Sequence, residues 1–135
     1  MGLDLGSKTI GVALSDPMFI TAQPYETIKR TKVKEDIDKL DRIIKEKEVS
    51  KLVVGLPKNM DNSYGPQAMR AMSFVDLIKK SIDIEVVYQD ERLTSIESES
   101  VLMDMSVRRE NRKKHIDKIA ASFILQGYLD RRSNG

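Results

Sequence analysis

The fold is decided by the opening stretch Gly2-Leu3-Asp4-Leu5-Gly6-Ser7-Lys8-Thr9-Ile10-Gly11-Val12-Ala13-Leu14. Leu3 and Leu5 alternate around Asp4, and the period-two apolar pattern resumes at Ile10 and continues to Leu14. The residues between these two runs, Gly6 to Thr9, are of the types that form tight turns. The stretch therefore predicts a β-hairpin with an aspartate in the middle of its first strand.

Asp4 occupies an unfavourable position for a carboxylate. Strands are depleted in aspartate, and an ionised carboxylate near a core is costly unless a cation compensates its charge. A divalent metal ion would compensate it. The alternative is an aspartate at a strand end that caps the following turn.

Composition narrows the class of protein. A chain of 135 residues predicts one domain, residues 1–135. Hydrophobic residues at 40% and charged residues at 33% are typical of globular proteins. Since no apolar run approaches the roughly 20 residues that span a bilayer, and no secretory signal pattern opens the sequence, we expect a cytoplasmic protein without a membrane role.

The side chains available for metal binding are restricted. The sequence has no cysteine and one histidine, His115, which excludes thiolate sites, disulfides and His-rich metal sites. His115 is not assigned a catalytic role. Any metal would be held by oxygen ligands, which favours Mg²⁺ or Mn²⁺.

The order of elements is predicted as β-β-β-α-β-α-β-α-α. This order implies an α/β fold with a five-stranded mixed sheet, in which the first three strands are antiparallel, parallel α/β units follow, and helices cover both faces. Beyond the hairpin, strands are predicted at 19–28, 51–57 and 84–88, and helices at 33–49, 66–80, 94–105 and 115–131. The third strand is interrupted or lies at an edge, because Pro24 cannot donate to a ladder.

Three of the four predicted helices have an apolar stripe. The first comprises Ile37, Leu40, Ile43 and Ile44. The second comprises Met69, Met72 and Val75, and the last comprises Ile116, Ile119, Ala120, Phe123, Ile124 and Tyr128.

Further carboxylates lie where ligands usually bind. Asp90 and Glu91 follow an apolar strand at the edge of the sheet where α/β proteins bind ligands. Asp117 lies on the flank of the last helix's apolar stripe. Together with Asp4 they would form a two-metal phosphoryl-transfer site. Each has an alternative: Asp117 pairs with Lys113 or Lys114, and Glu91 pairs with Arg92 or caps the next helix.

The formal net charge of +2 says little about binding partners, but the distribution of charge along the chain is more informative. The segment from Ser106 to Lys118 contains six basic and two acidic residues, which gives a local net charge of +4. We expect the segment Arg108 to Lys114 to be a mobile loop that orders on nucleic acid; the alternative is a solvated surface.

Four motifs, in order over nearly the whole chain, closely resemble the YqgF/RuvX family. They are Gly2 to Ala13, Val54-Gly55-Leu56-Pro57-Lys58-Asn59-Met60, Asp90-Glu91-Arg92-Leu93-Thr94, and Arg112 to Lys118 with Ala120-Ala121 and Ile124-Leu125-Gln126. The resemblance implies an RNase H-like fold related to Holliday junction resolvases and a candidate nuclease that processes the 5′ end of pre-16S ribosomal RNA. It also implies that Asp4, Glu91 and Asp117 are catalytic metal ligands, with Asp90 beside them. One departure is that the first strand lacks a few residues that usually precede Gly2.

Nucleic-acid contacts are predicted at Lys8, Lys58, Asn59, Arg92, Arg108, Arg109, Arg112, Lys113 and Lys114. For Lys58 and Asn59 the alternative is an ordinary turn. Aromatic residues make up only 5% of the chain, so the expected partner, structured RNA, is recognised by backbone shape rather than by base stacking. The sequence leaves the oligomeric state open.

Three other functions remain as alternatives: a resolvase of branched DNA, a non-catalytic RNA-binding assembly factor, and an ATPase of the sugar-kinase or chaperone type. The ATPases need two domains to enclose a nucleotide, and 135 residues argue against them.

Overall fold

The computed structural model describes residues 1–6, 8–56, 65–90 and 109–134, with side chains for 1–6, 8–56, 65–89 and 118–132. Five strands form one sheet in the order β3-β2-β1-β4-β5. They are β1 (Gly2–Leu5), β2 (Thr9–Ser15), β3 (Ala22–Lys29), β4 (Lys51–Leu56) and β5 (Glu85–Asp90). The first three strands are antiparallel, and β4 and β5 run parallel to β1. The predicted mixed sheet is confirmed.

Helices cover both faces of this sheet. They are α1 (Val33–Glu46), α2 (Pro66–Ser81) and α3 (Arg109–Asn134). One core joins Leu3, Ile10 and Val54 to the apolar sides of α1 and α2. A second core, on the other face, joins Ala13 and Val53 to α3. The prediction of helices on both faces is therefore confirmed, and β1 lies at the centre of a three-layer arrangement.

The third strand begins at Ala22, three residues later than predicted. Residues 16–21 form a turn instead, because the Asp16 carboxylate accepts hydrogen bonds from the amides of Ile20 and Thr21 at 2.7 and 2.8 Å. Within β3, Pro24 pairs with Ala13 next to a register shift. The strand lies at the edge of the sheet, as Pro24 predicted.

Helix α1 buries its predicted stripe Ile37, Leu40, Ile43 and Ile44. It ends at Glu46 rather than Val49, since Glu48 adopts a left-handed conformation with φ of 54° that stops the helix.

The apolar stripe predicted for α2 is confirmed at Val75, holds in part at Met72, which packs against the core, and is wrong at Met69. Val75 is buried, but Met69 is 56% exposed and Met72 is only partly buried. The buried positions are Ala68, Ala71, Phe74, Val75 and Ile78. The sequence of α2 contains two overlapping apolar stripes. The stripe that includes phenylalanine and small alanines is the buried one, because alanines let the helix approach the sheet closely.

Helix α3 begins at Arg109, six residues before the predicted start, so residues 109–114 are helical and not a loop. Its buried apolar positions are Ala120, Ala121, Ile124, Leu125 and Leu129, while Ile119, Phe123 and Tyr128 are only partly buried. The buried stripe is thus turned toward the small residue Ala121, which permits the close contact with β1 described below. The side chain of Ile116 and the predicted helix at 94–105 lie outside the described residues.

Within the described ranges, no helix is long and apolar enough to cross a membrane.

Candidate active site

Asp4 lies in the central strand of the sheet, directly opposite Gly11 of β2. Its neighbours Leu3 and Leu5 are buried in the core shared with α1 and α2, so Asp4 belongs to the opposite face, which α3 covers. The residue is half-buried. The predicted position of this carboxylate, within a strand and beside a core, is confirmed.

Glycines occupy the strand positions on both sides of Asp4. Gly11 is its partner on β2, and the parallel register that pairs Leu3 with Val54 brings Asp4 level with Gly55 on β4. Because glycine has no side chain, neither neighbouring strand crowds the carboxylate on this face of the sheet. The two neighbouring strands therefore place no side chain beside Asp4 that would compete with a metal ion. This feature was not predicted, although the hairpin register already pairs Asp4 with Gly11.

Helix α3 packs directly on the main chain of β1. A Cβ atom at Gly2 would stand 2.7 Å from the carbonyl oxygen of Ala121 and 2.8 Å from Cβ of Leu125. Such distances exclude a side chain at residue 2 unless the helix shifts. Gly2 and Asp4 share the same face of the strand, so α3 is held close to the face that carries Asp4.

The direction of α3 places its earlier residues toward Asp4. Later in the helix, Tyr128 contacts Lys51 at 2.8 Å, and Gln126 accepts a 2.8 Å hydrogen bond from the amide of Ala22. Lys51 and Ala22 lie at the edge of the sheet where β1 begins. The helix therefore runs back from Ala121 toward the carboxyl end of β1. Asp117 is one helical turn before Ala121, and its position on the flank of the apolar stripe stays a prediction because its side chain is outside the described set.

The first of the second pair of carboxylates lies within the parallel part of the sheet, and not after it as predicted. Asp90 is the last residue of β5 and pairs with Leu56 of β4. Leu56 belongs to the core on the α1 and α2 face, so the register assigns position 90 to the face opposite Asp4. Glu91 lies outside the described residues.

No three metal-binding side chains of the His, Cys, Asp or Glu type come together among the side chains that the structure describes. Of the four predicted ligands, only Asp4 has a described side chain; those of Asp90 and Asp117 lie outside that set, as does the whole of Glu91. The residues nonetheless fit a hard divalent cation, because the predicted set supplies only carboxylate oxygens and the flanking strand positions are glycines.

The predicted nucleic-acid contacts fall at different places. Lys8 is exposed at the tip of the hairpin, where its carbonyl accepts a hydrogen bond from the amide of Arg30. Arg109, Arg112, Lys113 and Lys114 lie in the first turns of α3, and their side chains are outside the described set. Lys58, Asn59, Arg92 and Arg108 lie outside the described residues altogether.

One charged cluster was missed by the sequence analysis. Asp36 of α1 is fully buried, and its carboxylate accepts hydrogen bonds from the amide of Thr31 at 3.0 Å and from Nε of Arg30 at 3.4 Å. Arg30 also donates a 2.8 Å hydrogen bond to the carbonyl of Gly6 and lies 4.7 Å from the ring centre of Phe74. An acidic residue in the first turn of a helix is usually a capping residue or an exposed charge, so the sequence did not indicate that Asp36 is buried.

Comparison with known families decides the assignment. The model of the RuvX family, described as a Holliday junction resolvase, matches residues 1–131. The chain belongs to the RuvX family.

Curated relatives in this family support the same placement. A protein of Clostridioides difficile (strain 630) is 52% identical over 134 residues, covering 99% of this chain and 95% of that protein. One from Streptococcus thermophilus (strain ATCC BAA-491 / LMD-9) is 50% identical over 134 residues, covering 97% and 96%. Both are named as candidate pre-16S rRNA nucleases.

Solved structures show the fold of this RuvX family member. Thermus thermophilus RuvC in complex with a Holliday junction substrate superposes with a TM-score of 0.63 at 14% identity, covering 98% of this chain and 94% of that one. Fowlpox virus resolvase, bound to Holliday junction DNA, gives a TM-score of 0.54 at 15% identity, covering 97% and 96%. The predicted RNase H-like fold is confirmed by these likenesses.

Proposed function

We propose that this chain is a metal-dependent nuclease that hydrolyses a phosphodiester bond near the 5′ end of pre-16S ribosomal RNA. The observation that carries the proposal is Asp4, a half-buried carboxylate on the central strand with glycines on both sides. Family membership and the names of the relatives at about half identity support the substrate. We place this activity in one cytoplasmic domain, residues 1–135.

Asp4, Glu91 and Asp117 are the proposed catalytic metal ligands, with Asp90 beside them. The contact between Gly2 and Ala121 supports the inclusion of Asp117, because it fixes the helix one turn from that residue. The sheet register supports Glu91 over Asp90, since position 90 belongs to the face opposite Asp4. When bound, Mg²⁺ or Mn²⁺ would lower the pKa of the attacking water and stabilise the leaving oxygen. The carboxylates of the chain would hold and orient these charges around the scissile phosphate.

The start of α3 is the proposed grip on the nucleic-acid backbone. Arg109, Lys113 and Asp117 follow one another at four-residue spacing, and Arg112 lies beside them, so one stripe of the helix passes from basic residues to a proposed ligand. From residue 109 to residue 121 the helix rises about 18 Å, whereas β1 extends roughly 10 Å from Gly2 to Leu5. The basic turns would therefore extend past the edge of the sheet that carries Asp4, where a phosphate backbone would approach. Lys8, Lys58, Asn59, Arg92, Arg108 and Lys114 are proposed to contribute further contacts.

A resolvase acting on branched DNA is the second candidate function. The description of the family and the likeness to resolvases favour it. A non-catalytic RNA-binding assembly factor remains the alternative without chemistry. The nuclease would cleave RNA, the resolvase would cleave branched DNA, and the assembly factor would cleave neither.

The test is cleavage of a labelled pre-16S fragment and of a four-way DNA junction by the purified protein, with Mg²⁺, with Mn²⁺ and with excess chelator. We expect site-specific RNA cleavage that chelator abolishes and that Asp4→Asn lowers at least about a hundredfold. The matched control is Asp38→Asn, the same chemical change on the exposed surface of α1, which should leave the rate unchanged. Cleavage that persists in chelator, or in Asp4→Asn, would contradict the site; cleavage of the junction alone would favour the resolvase.

A further inference from the structure

A cleft of about 480 Å³ opens at the carboxyl end of β1, on the face of the sheet covered by α1 and α2. Its polar lining comprises the main chain of Gly6 and the side chains of Arg30, Thr31, Gln67 and Arg70. Among the described residues that line it, two are cationic and none is acidic. A cleft of this size has the volume of a small-molecule site, and its charge favours an anion.

Arg30 is held rigidly in the wall of this cleft. It donates to the carbonyl of Gly6 at 2.8 Å, contacts Asp36 at 3.4 Å and stacks on Phe74. Its side chain is still 22% exposed, so the guanidinium is fixed without being sealed off. A planar guanidinium with a preset orientation loses little entropy when it binds an oxyanion.

Arg70 supplies a positive charge to the cleft in addition to that of Arg30. The buried carboxylate of Asp36 balances Arg30, whereas Arg70 lies exposed on α2, one turn from Gln67. An exposed arginine next to a fixed one is suited to close on a phosphate group from the solvent side. The cleft thus offers one preorganised and one adaptable donor.

We propose that this cleft binds a backbone phosphate of the nucleic-acid substrate, on the far side of the sheet edge from the bond that is cut. This inference rests on the proposed nuclease function. Gly6, which lines the cleft, is two residues from Asp4, a separation of at most about 7 Å along the strand. The same strand end therefore presents Asp4 to one face and the cleft to the other. A nucleic-acid strand passing over the edge of the sheet would be anchored in the cleft by one phosphate while a neighbouring phosphate reaches Asp4. Phosphate contacts of this kind fix the position of a substrate along a protein.

The experiment measures binding of a fluorescein-labelled RNA oligonucleotide, and of DNA of the same sequence, between 50 and 300 mM salt. All proteins carry Asp4→Asn so that turnover does not interfere. Arg70→Ala should weaken affinity about fivefold and reduce the salt slope by about 0.7 for a single-stranded ligand, the loss of one phosphate contact. The effect should be the same for RNA and DNA, because the ligand is the phosphate. Lys80→Ala, an equal charge change on the exposed last turn of α2, is the matched control and should change affinity less than twofold.

A single neutral methylphosphonate moved along the RNA locates the contact. One position should weaken binding to the Asp4→Asn protein and have no further effect once Arg70 is alanine. Unchanged affinity and slope in Arg70→Ala would overturn the inference, as would an equal loss in Lys80→Ala or tighter binding of polyglutamate than of RNA. If the Arg70 effect appears but the parent protein never cleaves, the phosphate site stands and the nuclease proposal fails.

Discussion

Gly2 of β1 lies directly against Ala121 of α3, so closely that a Cβ atom at residue 2 would stand 2.7 Å from the Ala121 carbonyl oxygen. The contact joins the strand that carries Asp4 to the helix that carries Asp117. Residue 2 is two positions before Asp4 and Ala121 is four positions after Asp117, so any shift of the helix at this point changes the separation of the two acids.

Gly2→Ala should therefore lower both stability and activity. The added methyl meets main chain on one side and Cβ of Leu125 on the other, neither of which can rotate away. Overpacking of this kind costs about 1–3 kcal/mol, which lowers the melting temperature by roughly 3–11 °C in a domain of this size. Thermal unfolding followed by circular dichroism, together with the cleavage rate, measures both effects.

Gly127→Ala is the matched control for that change. A Cβ at residue 127 would meet only the amide end of Gln89, at 3.1 Å, and this flexible side chain can move aside. Alanine also has the higher helix propensity, so the melting temperature should stay close to the parent value or rise. Equal melting temperatures for the two variants would show that the α3 contact does not constrain β1.

Glu91→Gln should abolish turnover while leaving RNA affinity within about twofold, because it removes a proposed metal ligand and keeps the side-chain shape. Asp90→Asn should reduce the rate only in part, since the pairing of Asp90 with Leu56 assigns it to the face opposite Asp4. Single-turnover cleavage and fluorescence anisotropy separate the two quantities. Complete loss of turnover in both variants would contradict the assignment of Asp90 and Glu91 to different roles from the strand register.

Replacing Arg109, Arg112 and Lys113 with alanine should weaken binding to all sequences about equally and flatten the salt dependence by roughly one phosphate contact per residue lost. Helix α3 should persist, because alanine is a strong helix former. The control replaces Lys34, Arg42 and Lys45 on the exposed side of α1. A salt slope equal to that of the parent would show that the start of α3 is only solvated.

The turn at residues 16–21 should respond to acid through Asp16. Hydrogen bonds from the amides of Thr21 and Ile20 hold the pKa of the Asp16 carboxyl below its ordinary value of 3.8. A depressed pKa in the folded state means that these bonds stabilise the turn above pH 3.8 and are lost as the pH falls through the lower value. In NMR spectra the Ile20 and Thr21 amides should titrate with a midpoint below 3.8, and in Asp16→Asn they should not titrate. A midpoint at or above 3.8 would contradict this account.

Features with short-range patterns were predicted well from the sequence. The hairpin, the edge placement of Pro24 and the α1 stripe from Ile37 to Ile44 each follow from spacing alone, and the structure confirms them. The position of Asp4 within a strand was predicted for the same reason and is confirmed. Its role as a metal ligand stays a prediction, based on the rule that a residue which breaks the local pattern is often functional.

Features that depend on packing between distant elements were predicted poorly. Ala68 and Ala71 are buried whereas Met69 is exposed, because small residues allow α2 to approach the sheet, which no helical pattern reveals. Residues 109–114 were predicted to be part of a loop because their charge was considered and their helix propensity was not. Arg30 pairs with Asp36 at the start of α1 and stacks on Phe74 of α2, a contact between elements that no local pattern predicts.

The central claim is that Asp4, Glu91 and Asp117 hold a common metal ion, and a crystal soaked in Mn²⁺ tests it most directly. The anomalous difference map should show a peak within about 2.0–2.6 Å of carboxylate oxygens from Asp4 and from at least one of the other two. The same soak of Asp4→Asn should lose that peak or reduce it strongly. A map with no Mn²⁺ at Asp4 in the parent protein, at a concentration that supports cleavage, would contradict the account.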